Sequence, residues 1–170
     1  MTTKIKRRGA AATAVLALAL GTGSAEASVT SGQRAELQRQ VDQVLRSAAP
    51  GGRQISPNRV AWARDGVTLT LAVPGRARAA GLRDCERGEL CLWQDFEAAG
   101  RRVAFVRYGT YRLRRYGMPR FVPRGASSWF NNQTDGAKAV LHADFDFSMR
   151  GHGNLYGKLN DRGKSVTLSP

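Results

Sequence analysis

The sequence predicts a mainly β protein: a two-motif Greek-key sandwich preceded by a small module of one α-helix and a β-hairpin. Three observations carry this. Short alternating apolar runs with glycines between them recur every 8 to 12 residues from Cys85 onward, the pattern of a sandwich built from short strands. The run Leu92-Trp93-Gln94-Asp95-Phe96, followed by Gly100, is echoed 49 residues later by Leu141-His142-Ala143-Asp144-Phe145, followed by Gly151. A single stretch of helical periodicity precedes them all, just ahead of an Asp-Gly turn.

The elements follow in chain order. Lys4, Lys6, Arg7 and Arg8 open the chain, an apolar run spans Ala10 to Leu20, and Ala25-Glu26-Ala27 supplies an A-x-A site. Residues 1–27 therefore read as a secretory signal peptide, and the run is about half of what a membrane-spanning helix needs. Arg7-Arg8 also fits a twin-arginine export signal, although a general secretion signal accounts for the pair as well. The chain carries a net charge of +14; removing residues 1–27 takes four basic residues and one acidic residue away and leaves +11. The exported form, near Ser28 onward, is expected to be soluble, monomeric and basic.

Thr30 with Gln33 three residues on forms a capping signal, and Leu37, Val41, Val44 and Leu45 recur at helical spacing, so residues 31–47 are expected to be helical. Pro50-Gly51-Gly52 ends that pattern. Val60 and Trp62, then Val67, Leu69, Leu71 and Val73, alternate on either side of Asp65-Gly66 and predict a hairpin. The resulting module, residues 28–73, is too small to bury a generous core alone. A Pro/Gly/Ala-rich basic stretch, 74–83, reads as a linker, and 84–170 as the Greek-key domain. Its strands are expected at Leu90–Trp93, Val103–Val106, Phe121-Val122, Ser128–Phe130, Ala139–Leu141, Leu155-Tyr156 and Val166–Leu168.

Cys85 and Cys91 are the two cysteines of the chain. In an oxidising compartment they are expected to pair, and the chain-entropy model assigns so short a loop about 2 kcal/mol. A metal or redox role is the weaker alternative, since C-x5-C lacks the C-x-x-C spacing and a second pair.

"CERGELCLW", an Asp-Phe with a glycine beyond it, and "SSWFNN", in this order, resemble the secreted actinobacterial peptidase-inhibitor family of βγ-crystallin-like fold. The upstream "GGRQISPNRVAW" and "DGVTLTL" resemble the leader region of such proteins. The resemblance implies inhibition of metalloendopeptidases by some members, and calcium binding through the pattern Asn/Asp-Asn/Asp-x-x-Ser/Thr-Ser. Its first copy falls on Pro123–Ser128 and keeps only the serines; its second falls on Asn160–Ser165 with Lys164 at the penultimate position. One site would pair Asp161 with Ser127, and the other would bring Arg124 near Lys164. Calcium takes six to eight hard oxygens, so at most one weak calcium site is expected and no cofactor is required. The remaining reading of Ser127, Ser128, Asn131 and Asn132 is structural, as caps on strand ends and turns.

Enzyme signatures are missing: there is no H-E-x-x-H, G-x-S-x-G, P-loop or dinucleotide-binding pattern. His142 and His152 are the two histidines, and neither falls in a nameable catalytic group. A non-enzymatic role is expected. For inhibition, the segment "FDFSMRGHGN" offers Phe147, Ser148, Met149 and Arg150 as an inhibitory loop, against the alternative that Phe145, Phe147 and Met149 face the core. Arg101, Arg102, Arg107, Arg112, Arg114, Arg115, Arg120 and Arg124 interleave with Phe105, Tyr108, Tyr111, Tyr116 and Phe121. Such interleaving can bind nucleic acid. For an exported protein, solvated surface or an anionic cell-wall polymer is the more fitting use. The competing function is thus a non-inhibitory extracellular module that binds calcium weakly or associates with wall polymers.

Overall fold

The computed structural model describes residues 29–75, 81–118, 125–134, 136–155 and 163–170. The expected signal peptide, the strand at Phe121-Val122, and Arg120, Arg124, Tyr156 and Asp161 lie outside them. Among the described residues, eleven strands form two antiparallel sheets, preceded by one α-helix. The mainly β fold class read from the sequence holds, with a helix ahead of a two-sheet sandwich.

The helix, α1, spans Ser31–Ser47. Thr30 Oγ1 accepts from the Gln33 amide at 3.2 Å, and Gln33 Oε1 accepts from the Thr30 amide at 2.9 Å, which completes the expected capping box. Leu37, Val41 and Val44 are buried, whereas Leu45, also on the predicted stripe, stays 37% exposed.

The first sheet holds seven strands in the order β1 (Arg53–Ser56), β2 (Arg59–Trp62), β3 (Val67–Thr70), β5 (Ala99–Phe105), β4 (Glu89–Asp95), β7 (Ser128–Asn132) and β10 (His152–Asn154). The second is ordered β6 (Gly109–Arg112), β11 (Ser165–Ser169), β8 (Lys138–His142) and β9 (Asp146–Ser148). The predicted hairpin is β2–β3, and β3 continues into the rest of the protein by pairing with β5, Val67 opposite Phe105 and Leu69 opposite Val103. Helix and hairpin thereby share a core with both sheets: Leu37, Val41 and Trp62 belong to the same buried cluster as Leu92, Phe105, Leu141 and Val166. Sharing that cluster supplies the apolar burial that so small a module lacks alone. At the junction of the expected linker and domain, Leu82–Asp84 forms a 3-10 turn.

Two strand expectations shift. β5 ends at Phe105, leaving Val106 in the following turn, and the strand expected at Leu155-Tyr156 is instead β10, with Leu155 buried just past its end. Cys85 and Cys91 form the expected disulfide, with a Cα–Cα distance of 5.9 Å. It sits in a second small core with Trp93, Ala98 and Ala104, on the sheet face opposite the main one.

Candidate functional site

The serine and asparagine box around Trp129 is a corner that satisfies backbone groups. Ser128 Oγ donates to Asp95 O at 2.6 Å and accepts from the Ala98 amide at 3.1 Å. Asn131 Nδ2 reaches Ala137 O and Met149 O, and Asn132 Nδ2 donates to Cys85 O at 2.9 Å. Ser127 is buried, its amide spent on Trp93 O and its carbonyl on the Leu155 amide. These are the turn and strand-end bonds that short polar side chains supply. Asp161, the expected calcium partner of Ser127, lies outside the described residues. Among the described residues, the side chains that gather like metal ligands are Cys85, Glu89 and Cys91. The sulfurs of Cys85 and Cys91 are joined in the disulfide, so neither offers a thiolate.

The segment expected to form the inhibitory loop is largely built into the fold. Met149 is fully buried, and its amide donates to Ala139 O at 2.7 Å. Phe147 is partly buried and meets Trp129 edge-on at 5.2 Å. The Met149 side chain thus faces the core, the alternative weighed from the sequence, and of the four Ser148 and Arg150 are exposed. Phe145, just before them, is 48% exposed.

A different turn combines exposed apolar side chains with a fixed backbone. Val106, Arg107 and Tyr108 connect β5 of the first sheet to β6 of the second, and Val106 and Tyr108 are each 54% exposed. The Val106 amide donates to Gly66 O at 3.0 Å. Tyr111 Oη donates to Arg107 O at 2.8 Å and lies 3.2 Å from Asp65 O, while Tyr116 Oη donates to Asp65 Oδ2 at 2.9 Å. Burial, followed by the Asp65 bond, pushes the Tyr116 phenol up to about 12, and burial likewise raises Tyr111. Both phenols thus remain donors under the turn at neutral pH. Gly66 sits directly beneath it with φ +66°, where an added Cβ would come within 2.6 Å of Arg107 Cγ. Sequence reasoning missed this turn because the alternation of β5 runs on through Val106; the Asp-Gly signal of the neighbouring hairpin was the one available hint.

The basic run divides. Arg112, Arg114 and Arg115 are exposed, and Arg114 and Arg115 line a cleft of about 530 Å³ at the carboxyl end of α1. Arg102 is buried, and Phe105, Tyr111 and Tyr116 pack together in the core. Those three rings are unavailable for base stacking, which removes most of the aromatic half of the nucleic-acid pattern. His142 is spent within the second sheet: Nδ1 lies 2.6 Å from Asp146 Oδ1 and Nε2 lies 2.8 Å from Thr167 Oγ1, itself 2.9 Å from Thr110 Oγ1. The string links all four strands by cross-strand side-chain bonds. His152 is exposed and meets Phe130 edge-on.

Residues 78–144 match the model of peptidase inhibitor family I36. No curated protein and no solved structure matches the chain. Among the described residues no helix is long and apolar enough to cross a membrane. The matched segment contains the disulfide, the serine corner and the Val106–Tyr108 turn. That segment is similar to peptidase inhibitor family I36, as the sequence motifs imply, and the similarity supports a peptidase inhibitor family for this chain.

Proposed function

We propose that the protein is exported and inhibits an extracellular metalloendopeptidase by seating the Val106-Arg107-Tyr108 turn in the enzyme's cleft. The family match supports the inhibitor role, and the exposure of Val106 and Tyr108 on a hydrogen-bonded turn is the observation that carries the mechanism. Metalloendopeptidases of the thermolysin type favour bulky apolar residues beside the scissile bond, and Val106 and Tyr108 offer two. A turn already fixed from below has little conformational entropy left to lose, so more of the contact energy appears as affinity. Neither a cofactor nor a bound metal is part of this reading.

The test is titration of a thermolysin-like peptidase with the secreted protein, its disulfide formed. Stoichiometric loss of activity is expected, and Val106→Asp should raise the inhibition constant by about 30-fold or more, the scale of a buried interface anchor. Arg150→Ala, at the segment first suggested by sequence, should change it less than about threefold. Undiminished peptidase activity at a large molar excess would dismiss metalloendopeptidase inhibition. Full inhibition by both variants would keep the activity and dismiss this turn.

The exposed Arg112, Arg114 and Arg115 favour one further association, with anionic cell-wall polymer. Because exposed charges are screened, retention on insoluble wall material should fall steeply between low and high salt; salt-independent retention would rule out charge as its cause.

A further inference from the structure

We propose that Arg59, Thr70 and Arg102 form a binding site for a single oxyanion group, carboxylate or phosphoryl, on the outer face of the seven-stranded sheet. The three residues stand side by side: Arg59 on β2 is opposite Thr70 on β3, and Thr70 is opposite Arg102 on β5. Trp93 on β4 continues the row opposite Arg102. Along this one row Arg59 Nε, Thr70 Oγ1, Arg102 Nε and Nη1, and Trp93 Nε1 are all buried without a hydrogen-bond partner. Buried polar atoms are normally paired, and a row of unpaired donors on adjacent strands is costly unless something accepts from it.

A cleft of about 340 Å³ opens at this place, lined by Arg59, Thr70, Arg102, Arg83, Asp84 and Glu86. Arg102 is 7% exposed. The nearby carboxylates offset its charge through space, with no hydrogen bond from the guanidinium to Glu89. Glu89 Oε2 is 4.0 Å from Arg102 Nη1, beyond hydrogen-bond length, and accepts the Glu86 amide at 2.9 Å instead. Asp84 Oδ2 is held by the Gly81 amide at 2.8 Å. Burial lowers the Arg102 pKa, opposed by Glu89 and Asp84. Guanidinium N–H groups with a hydroxyl between them match the fork of a carboxylate or phosphoryl group. Asp84 and Glu86 at the rim disfavour a second negative charge, which limits the ligand to one oxyanion group. The basic run in the sequence gave no sign of this, since Arg59 lies in the hairpin and Arg102 in another strand.

Thermal unfolding of the secreted protein in sodium acetate and in sodium phosphate, each against sodium chloride at equal pH and ionic strength, tests the site. At about ten times the dissociation constant, the binding oxyanion should raise Tm by roughly 4 °C over chloride. A larger response to acetate assigns carboxylate, and a larger one to phosphate assigns phosphoryl. Thr70→Val replaces a hydroxyl that has no partner, so the unligated Tm should hold or rise while the dissociation constant increases about fivefold or more. Arg59→Gln should abolish the response. Equal Tm in all three salts, or an undiminished response in both variants, would overturn the site.

Discussion

The two echoed hairpins, β4–β5 and β8–β9, carry the same Leu-x-x-Asp-Phe signature from first strand into turn and are held in different ways. The first lies inside the seven-stranded sheet, flanked by β3 and β7, and its turn is tied down by side chains from elsewhere in the chain. Ser128 grips Asp95 O and the Ala98 amide, and Asn154 Oδ1 accepts from the Glu97 amide at 2.9 Å. Glu97 and Ala98 adopt left-handed φ values of 56° and 57°, uncommon for residues with a Cβ, and Ala98 is buried. The second hairpin lies at the edge of its sheet, and β9 has three residues. Its turn is closed by the Ala143 amide on Phe145 O, flanked at the surface by the Lys164–Asp144 ion pair and the His142–Asp146 contact. One pattern thus serves as an anchored corner in the first copy and as a solvated edge in the second. Among the described residues, what separates them is the presence of Ser128 and Asn154 at the first turn, donated by β7 and β10.

The largest contrast is expected from Ser128→Ala. It leaves Asp95 O and the buried Ala98 amide without the hydroxyl that serves both, at a cost of about 2–3 kcal/mol, or a Tm lower by roughly 8 °C. Thermal unfolding at neutral pH reads it directly, and a loss under 2 °C would deny the anchored character of the first hairpin. The glycines that follow each copy sharpen the comparison further. Gly100 and Gly151 both have positive φ, 76° and 60°. A Cβ on Gly100 would meet Asp95 Oδ2 at 2.2 Å, whereas Gly151 faces open space. Gly151→Ala should cost only the left-handed strain, about 1 kcal/mol, and Gly100→Ala about 1 kcal/mol more. Equal denaturant midpoints for the two variants would mean that Asp95 moves aside freely.

The sequence made the strongly patterned parts legible. The capping box and stripe located α1, and Asp-Gly between alternating runs located β2–β3, because local chemistry sufficed there. β1, β6 and β9 escaped because their environment comes from neighbours: β1 exposes Arg53, Gln54 and Ile55, β6 buries Tyr111 alone, and β9 has no fully buried residue. Alternation is visible only where one face meets a core. The same limit applied to function. Met149 and Phe147 stood out as apolar residues near glycines, and their inward direction is fixed by Ala139 and Trp129, which are distant in sequence. Val106 and Tyr108 are exposed because β5 stops one residue earlier than its alternation suggests.

The smallest effect is expected at the edge hairpin. Asp146 Oδ1 lies 2.6 Å from His142 Nδ1, but the Asp146 side chain is 71% exposed, and water can replace the imidazole as its partner. Exposed contacts of this kind contribute about 0.5 kcal/mol or less once solvent and side-chain entropy are counted. Asp146→Ala should therefore shift Tm by less than about 2 °C in thermal unfolding. The Thr167 hydroxyl would still hold the ring through Nε2 at 2.8 Å, so the strand register on that side has a second tie. A loss as large as that of Ser128→Ala would show that the edge hairpin depends on one carboxylate as the inner one depends on Ser128, and the contrast between the two copies would disappear.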